Sequence, residues 1–397
     1  VAEERGLNVY SIAAHRGFAD ALVAGLIPRY AEPKFGLARL TLLLPSRRTV
    51  RTVAEAFVRA SGTGLLLPRM ATIGDLDLDE TLGPLLDPIG EGDIIPPASD
   101  PTRRWLRLAE LLRPMLTGEL GDAAPSTPAL LRLARNIARS MDRLAVEGVA
   151  GGALLDDKVA DLFPDLAGHW QDNTRLFAVV HTRWQAELAQ RDEIDPPERR
   201  NRLLAAAARR WRTQPPPHPV VAAGVTSASP AIARLLKVVS ELPRGATILP
   251  DLDLALADEV WDALGVAGGP AEKDGDTLGR DDAVTHPQYH LKLLLNRMGV
   301  ARGEVKPWHR SGPAAAPPER SRAISSLFLP PRASAEWIDL PPEQRRLSGV
   351  RLMEAPHPEA EAQAIALLIR EALEVPEKRV ALVTPDRNLA ARVVAHL

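Results

Sequence analysis

The stretch LTLLLPSRRTVRTVAEAFVRA, residues 40–60, holds two periodicities and the break between them. Leu40–Leu44 is a continuous apolar run, the pattern of a strand covered on both faces. Pro45-Ser46 interrupts it, and from Thr49 to Ala60 the apolar residues recur at helical spacing, with Thr49 read as the N-cap. A strand running straight into a helix is half of a βαβ unit, which needs a parallel neighbour. The same pattern stands upstream, where Asn8–Ile12 reads as a strand, Ala13–Gly17 as a turn and Phe18–Ile27 as a helix. It returns downstream as the strand Pro219–Ala223, a Gly/Ser/Thr loop to Ser229, the helix Pro230–Leu242 and the strand Ala246–Leu249. The predicted fold class is α/β with a parallel sheet.

Between these units the character changes. Arg104–Leu112, Pro128–Leu144, Asn173–Gln190 and Arg199–Arg212 read as amphipathic helices, and Pro215–Pro217 closes the block. This predicts an α/β domain of residues 1–100 and 213–285, interrupted by a helical insertion of residues 101–212. Residues 61–100 read as loop, and 286–345 as an irregular linker with a helix at Gln288–Arg297 and a loop at Ser311–Arg320. From 346 a second α/β domain is expected: strand Val350–Glu354, helix Glu359–Glu374, strand Val380–Thr384 and helix Leu389–Leu397. It stops after two such units, as a fragment of a longer chain would.

Composition narrows the function classes. The 397 residues suffice for two or three domains, and 49 Lys+Arg against 51 Asp+Glu exclude a uniformly basic nucleic-acid coat. Any contact with DNA must come from local patches. With no cysteine, disulfides, zinc ribbons and iron–sulfur ligation are excluded from these residues. No apolar run reaches the roughly 18–20 residues of a membrane span and no secretory signal opens the sequence, so a cytoplasmic location is expected. The 36 prolines and the strong preference of Arg over Lys read as coding bias.

The phosphate-binding chemistry that such a strand–turn–helix often carries is missing. A P-loop needs Gly-rich backbone, a Lys for the β/γ charge and a Ser/Thr for Mg²⁺. Here the turn runs Ala13-Ala14-His15-Arg16-Gly17-Phe18-Ala19. His15 has no Ser, Cys or Asp at triad spacing. His286 and His290 stand four apart, half of a helical metal site, but Pro287 lies between them. The acidic run Asp75, Asp77, Asp79 and Glu80 reads as solvated loop, with metal binding as the alternative.

Two basic stretches remain. Between Arg39 and Ala60 five Arg face one acid, and Arg47, Arg48 and Arg51 gather with Thr49 at a helix start, where dipole and guanidinium groups favour an anion. Arg199–Arg212 holds six Arg and Trp211; Arg199, Arg200, Arg210 and Trp211 form a secondary candidate for single-stranded nucleic acid, against a charged outer helix face as the plain reading.

The order of segments resembles the N-terminal part of the AddB subunits, above all the alphaproteobacterial type, which pair with AddA in bacterial helicase–nucleases for double-strand-break repair. The resemblance is carried by residues 40–57, LLLPRMATIGDLDLDE (65–80), IDPPERRNRLL (194–204), 219–236, GATILPDLDL (245–254), HPQYHLKLLL (286–295) and ALVTPDRNLAARVVAHL (381–397). It implies a superfamily 1 helicase-like frame: domain 1A interrupted by insertion 1B, then the start of domain 2A. In that frame Leu40–Arg51 corresponds to the DNA-binding motif Ia. The nucleotide site is then vestigial: Arg16-Gly17 replaces the Walker Lys and hydroxyl, Ala223-Gly224 the Walker B acids. Asp251 and Asp253 remain beside Leu254 where a Gln would stand, and Arg387 matches an arginine near the γ-phosphate. The resemblance implies single- and double-stranded DNA and AddA as partners, and no cofactor in this chain. In the family it resembles, an iron–sulfur cluster and Mg²⁺ are implied only for a C-terminal nuclease part, which these residues do not include. The rival expectations are a nucleotide-dependent enzyme with a non-standard site and a pure interaction scaffold.

Overall fold

A computed structural model describes residues 7–62, 64–73, 95–120, 125–150, 167–269, 279, 282–308, 318–330, 333–345 and 347–397. They fall into two compact units, divided along the chain between residues 346 and 347.

The first unit is built on a six-stranded sheet: β1 (Val9–Ile12), β2 (Thr41–Leu44), β3 (Arg69–Thr72), β4 (Val220–Ala223), β5 (Gly245–Pro250) and β6 (Lys306–Pro307). The spatial order is β3-β2-β4-β5-β1-β6 and every pairing is parallel. Register sets Leu42 opposite Val221, Val220 opposite Gly245 and Val9 opposite Thr247. Successive side chains point to opposite faces, so the apolar runs of β2, β4 and β5 serve two cores at once. Leu42, Leu44, Val221, Ala223 and Ile248 meet helices α1 (Phe18–Tyr30) and α2 (Arg47–Ser61) through Leu22, Leu26, Val53 and Phe57. Leu43, Val220, Ala222 and Leu249 face the other way. Each fully buried Leu or Val contributes about 1.5–3 kcal/mol, against about 1 kcal/mol net for a ladder hydrogen bond. Burial on two faces therefore decides which runs become strands.

The opposite face is covered by α6 (Pro196–Thr213), α7 (Pro230–Glu241), α8 (Asp258–Asp262) and α9 (Tyr289–Met298), through Leu204, Trp211, Ile232, Leu236, Trp261 and Leu294. Beyond β6, Trp308 fixes the sheet edge: its backbone N–H donates to Ser11 O at 2.8 Å, and its indole Nε1 donates to Ala21 O at 3.1 Å. The ring lies where a Cβ at Gly25 would stand, 2.5 Å from its atoms, so only glycine permits this approach.

Helices α3 (Pro101–Leu120), α4 (Thr127–Glu147) and α5 (Ala167–Gln190) form a block with its own core of Leu108, Leu112, Ala134, Ile137, Val180 and Trp184. The chain leaves and returns at one seam, a parallel bridge of Ala98 with Ile194. Ser99 N donates to Ile194 O at 2.9 Å and Ile194 N to Pro97 O at 3.1 Å. Asp195 sits buried beside the seam and accepts from Trp184 Nε1 at 3.0 Å, with Arg104 Nε 3.1 Å away. Burial pushes this carboxyl up, and Arg104 and the indole N–H pull it back.

Several sequence expectations change. The helix expected at Arg199–Arg212 starts at Pro196 and belongs largely to the sheet core, because its apolar stripe Leu204, Ala207, Ala208 and Trp211 packs there rather than on α3–α5. Residues 61–100 contain a strand: β3 is an edge strand with Arg69 exposed, so only Ala71 and Thr72 carry burial. Residues 286–345 are more than a linker, since α9 packs in the sheet core, β6 pairs with β1, and α10 (Pro318–Leu327) and α11 (Glu336–Asp339) follow.

The second unit, Leu347–Leu397, pairs α12 (Pro358–Leu373) with α13 (Arg387–His396) through Ala362, Ala366, Leu389 and Val393. The strands expected at Val350–Glu354 and Val380–Thr384 form no ladder, and Leu352 and Val383 are largely exposed. A strand's backbone groups gain their bonds only from a neighbour, and neither segment has one among the described residues. The second α/β domain is thus helical in this structure. No described helix is long and apolar enough to cross a membrane.

Candidate nucleic-acid interface

In a parallel sheet, ligands sit outside the carboxyl ends of the strands where neighbouring connections leave to opposite faces. Two such points occur. β1 leads to α1 on one face while its neighbour β5 leads to α8 on the other, and β2 leads to α2 while its neighbour β4 leads to α7.

The β1/β5 crevice is tied up internally. Arg16 N donates to Ala13 O at 3.0 Å, and Gly17 caps α1 without a side-chain acceptor. Asp251 stands in the left-handed region at φ +57°, and its N–H donates to Ile12 O at 2.8 Å. Its carboxyl is pushed up by burial. Gln288 clamps the loop: Nε2 donates to Asp251 O at 2.9 Å, and Oε1 accepts from Asp253 N at 3.0 Å. Both carboxylate oxygens of Asp253 are engaged, one by Ala255 N at 2.9 Å and one by Ser325 Oγ at 2.5 Å. Asp20, on the first turn of α1, pairs with Arg59 of α2 at 2.6 Å. Gly224, at φ +73°, lies under Phe18; a Cβ there would stand 3.1 Å from the ring. The aromatic ring thus packs over the turn that follows β4.

The β2/β4 corner is basic. α2 begins at Arg47, two residues before the expected start, and Ser46 rather than Thr49 is its cap: Ser46 Oγ accepts from Thr49 N at 3.3 Å. The two hydroxyls lie 3.1 Å apart, so Thr49 is spent on the cap. Arg47 and Arg48 therefore occupy the first turn and Arg51 the second, all three exposed, with no acid in the first turn. None of the three side chains has a partner among the described residues, while Arg59 farther along the helix is ion-paired. Each cation at this positive end of the dipole costs about 0.3–1 kcal/mol at low ionic strength. That cost turns into stabilisation when an anion docks on the free N–H groups.

The secondary candidate is dispersed. Trp211 is 2% exposed and lies in the sheet core, and Arg200 is 3% exposed, so neither presents to a nucleic acid. Arg199 and Arg210 are half-buried, and Arg202 is neutralised by Glu198 at 2.8 Å. Arg387 opens α13 in the second unit, exposed beside its cap Asp386. His286 Nδ1 accepts from Gln288 N at 3.1 Å, with burial lowering its pKa, and His290 is exposed. No group of three or more metal-ligating side chains occurs among the described residues. Asp75, Asp77, Asp79 and Glu80 lie outside them.

Sequence reasoning missed Gln288, which holds Asp251 and Asp253 from more than thirty residues away; nothing in its local pattern marks that clamp. No family model matches this chain, and no curated protein matches it in sequence.

Proposed function

We propose that the chain is the ATPase-inactive, helicase-like, DNA-binding portion of an AddB-type subunit, acting with an AddA-type helicase–nuclease in double-strand-break repair. The reading draws on the segment order quoted above and on the exposed arginines at the head of α2. One observation carries it: Arg47, Arg48 and Arg51 stand exposed and unneutralised at a helix N-terminus beside the carboxyl ends of β2 and β4. Such an arrangement is adverse in the isolated chain and favourable only with an anion present. Loss of motor activity is supported by the first turn, which lacks a Lys and a metal-holding hydroxyl, and by Asp253, whose oxygens are already occupied. The chain would then grip a strand without hydrolysing nucleotide, leaving the motor to its partner.

The test is fluorescence anisotropy with a labelled single strand across a salt series. R47A/R48A/R51A is expected to weaken binding and reduce the salt slope by about 2, since each lost phosphate contact removes about 0.7. Unchanged affinity and slope would reject the corner as the grip. Saturable Mg²⁺-dependent binding of an ATP analogue would instead favour the nucleotide-dependent enzyme.

A further inference from the structure

The helical block carries a second row of arginines that the sequence patterns above do not single out. On α4, Arg132, Arg135, Arg139 and Arg143 recur at intervals of three and four residues, and all four are exposed. At 100° per residue, Arg132, Arg139 and Arg143 fall within about 40° of one another, directly opposite the buried Ala134, Ile137 and Met141. The row is about 16 Å long at 1.5 Å per residue.

Neighbouring charges show that the row is distinctive. On α3, Arg103, Arg104 and Arg107 pair with Glu193, Asp142 and Glu187. The two acids of α4 are directed elsewhere: Asp142 to Arg104, and Glu147 to Arg297 at 2.7 Å. Arg135 rests on the Trp105 ring at 4.5 Å. Arg132, Arg139 and Arg143 have no partner among the described residues. Asn136 and Ser140 stand between them, exposed, so the centre of the row is polar, and the apolar residues of this face, Pro128 and Val146, lie only at its two ends.

We infer that this face of α4 is a docking surface for the phosphate backbone of duplex DNA. A protein partner would require an apolar centre, which the face lacks. A single strand would require aromatic rings to stack its bases, and the nearest, Trp105, is covered by Arg135. A straight row of cations needs neither bases nor apolar contact. Over 16 Å of axis a duplex presents about five phosphates per strand, at one per roughly 3.4 Å. The inference rests on the proposed function only in taking the partner to be DNA, and it uses different residues.

The experiment compares the full chain with R132Q/R139Q/R143Q and R132K/R139K/R143K, measuring a blunt duplex and a single strand by anisotropy over a salt series. The Gln variant should lose ten-fold or more in duplex affinity and about 2.7 in salt slope, at about 0.9 per phosphate, with single-strand binding unchanged. The Lys variant should keep most of the affinity. Wild-type duplex affinity and slope in the Gln variant would overturn the inference, and so would an equal loss in the Lys variant. Retained duplex binding with lost capture of a polyglutamate peptide would assign the face to an acidic protein instead, which also overturns it. R47A/R48A/R51A run alongside separates the two readings: it should move single-strand binding alone, so either triple variant can fail without the other.

Discussion

Two arginine-rich helices look alike in the sequence and end in opposite places. α2 turns its arginines outward at the head of the helix, while its core contacts run along another face through Val50, Val53, Ala56 and Phe57. α6 has its basic residues wrapped around a stripe that continues into Trp211, so the sheet core takes that aromatic and buries Arg200 with it. The count of cations is similar; the phase against the apolar stripe is not. A basic patch is available to a ligand only where its residues fall out of step with the residues that the core demands.

The contrast is broken most sharply at Trp211. Trp211→Ala should destabilise the first unit by about 3–5 kcal/mol, read by chemical denaturation, with no selective loss of DNA affinity in the folded fraction. A stable variant that binds a single strand poorly would return Trp211 to the role of stacking platform. Next comes Ser46→Ala, which removes the cap of α2 and should cost about 1 kcal/mol while also weakening single-strand binding through a frayed first turn. Stability loss with unchanged affinity would show that the arginines act without the helix end. The smallest effect is expected from Arg199→Ala with Arg212→Ala, within about 0.5 kcal/mol in stability and without change in single-strand affinity. A clear drop in affinity would restore α6 as an interface.

How far the sequence discloses the molecule depends on how many neighbours a segment needs. β2, β4 and β5 are legible because burial on both faces leaves an unbroken apolar run. β3 and β6 are not, since each is an edge: β3 buries only Ala71 and Thr72, both residues of β6 are exposed, and β6 is held through Trp308 rather than by its own side chains. Val350–Glu354 and Val380–Thr384 have strand-like sequence, yet composition cannot supply the missing neighbour. At the corner, the clustering of Arg47, Arg48 and Arg51 was visible, while the cap was misplaced from Ser46 to Thr49 because the first three helical residues, Arg47–Thr49, are polar and leave the apolar period to begin at Val50. The clamp by Gln288 is a long-range contact that no local pattern encodes.

The bridge between Ala98 and Ile194 means that the intervening residues begin and finish at adjacent points. Lengthening such an excursion is cheap, since doubling a loop adds only about 0.6 kcal/mol of closure entropy. The block of α3–α5 can therefore grow, shrink or be exchanged during descent while β3 and α6 keep their spacing, and the parallel sheet is left free to hold its alignment whatever hangs from it.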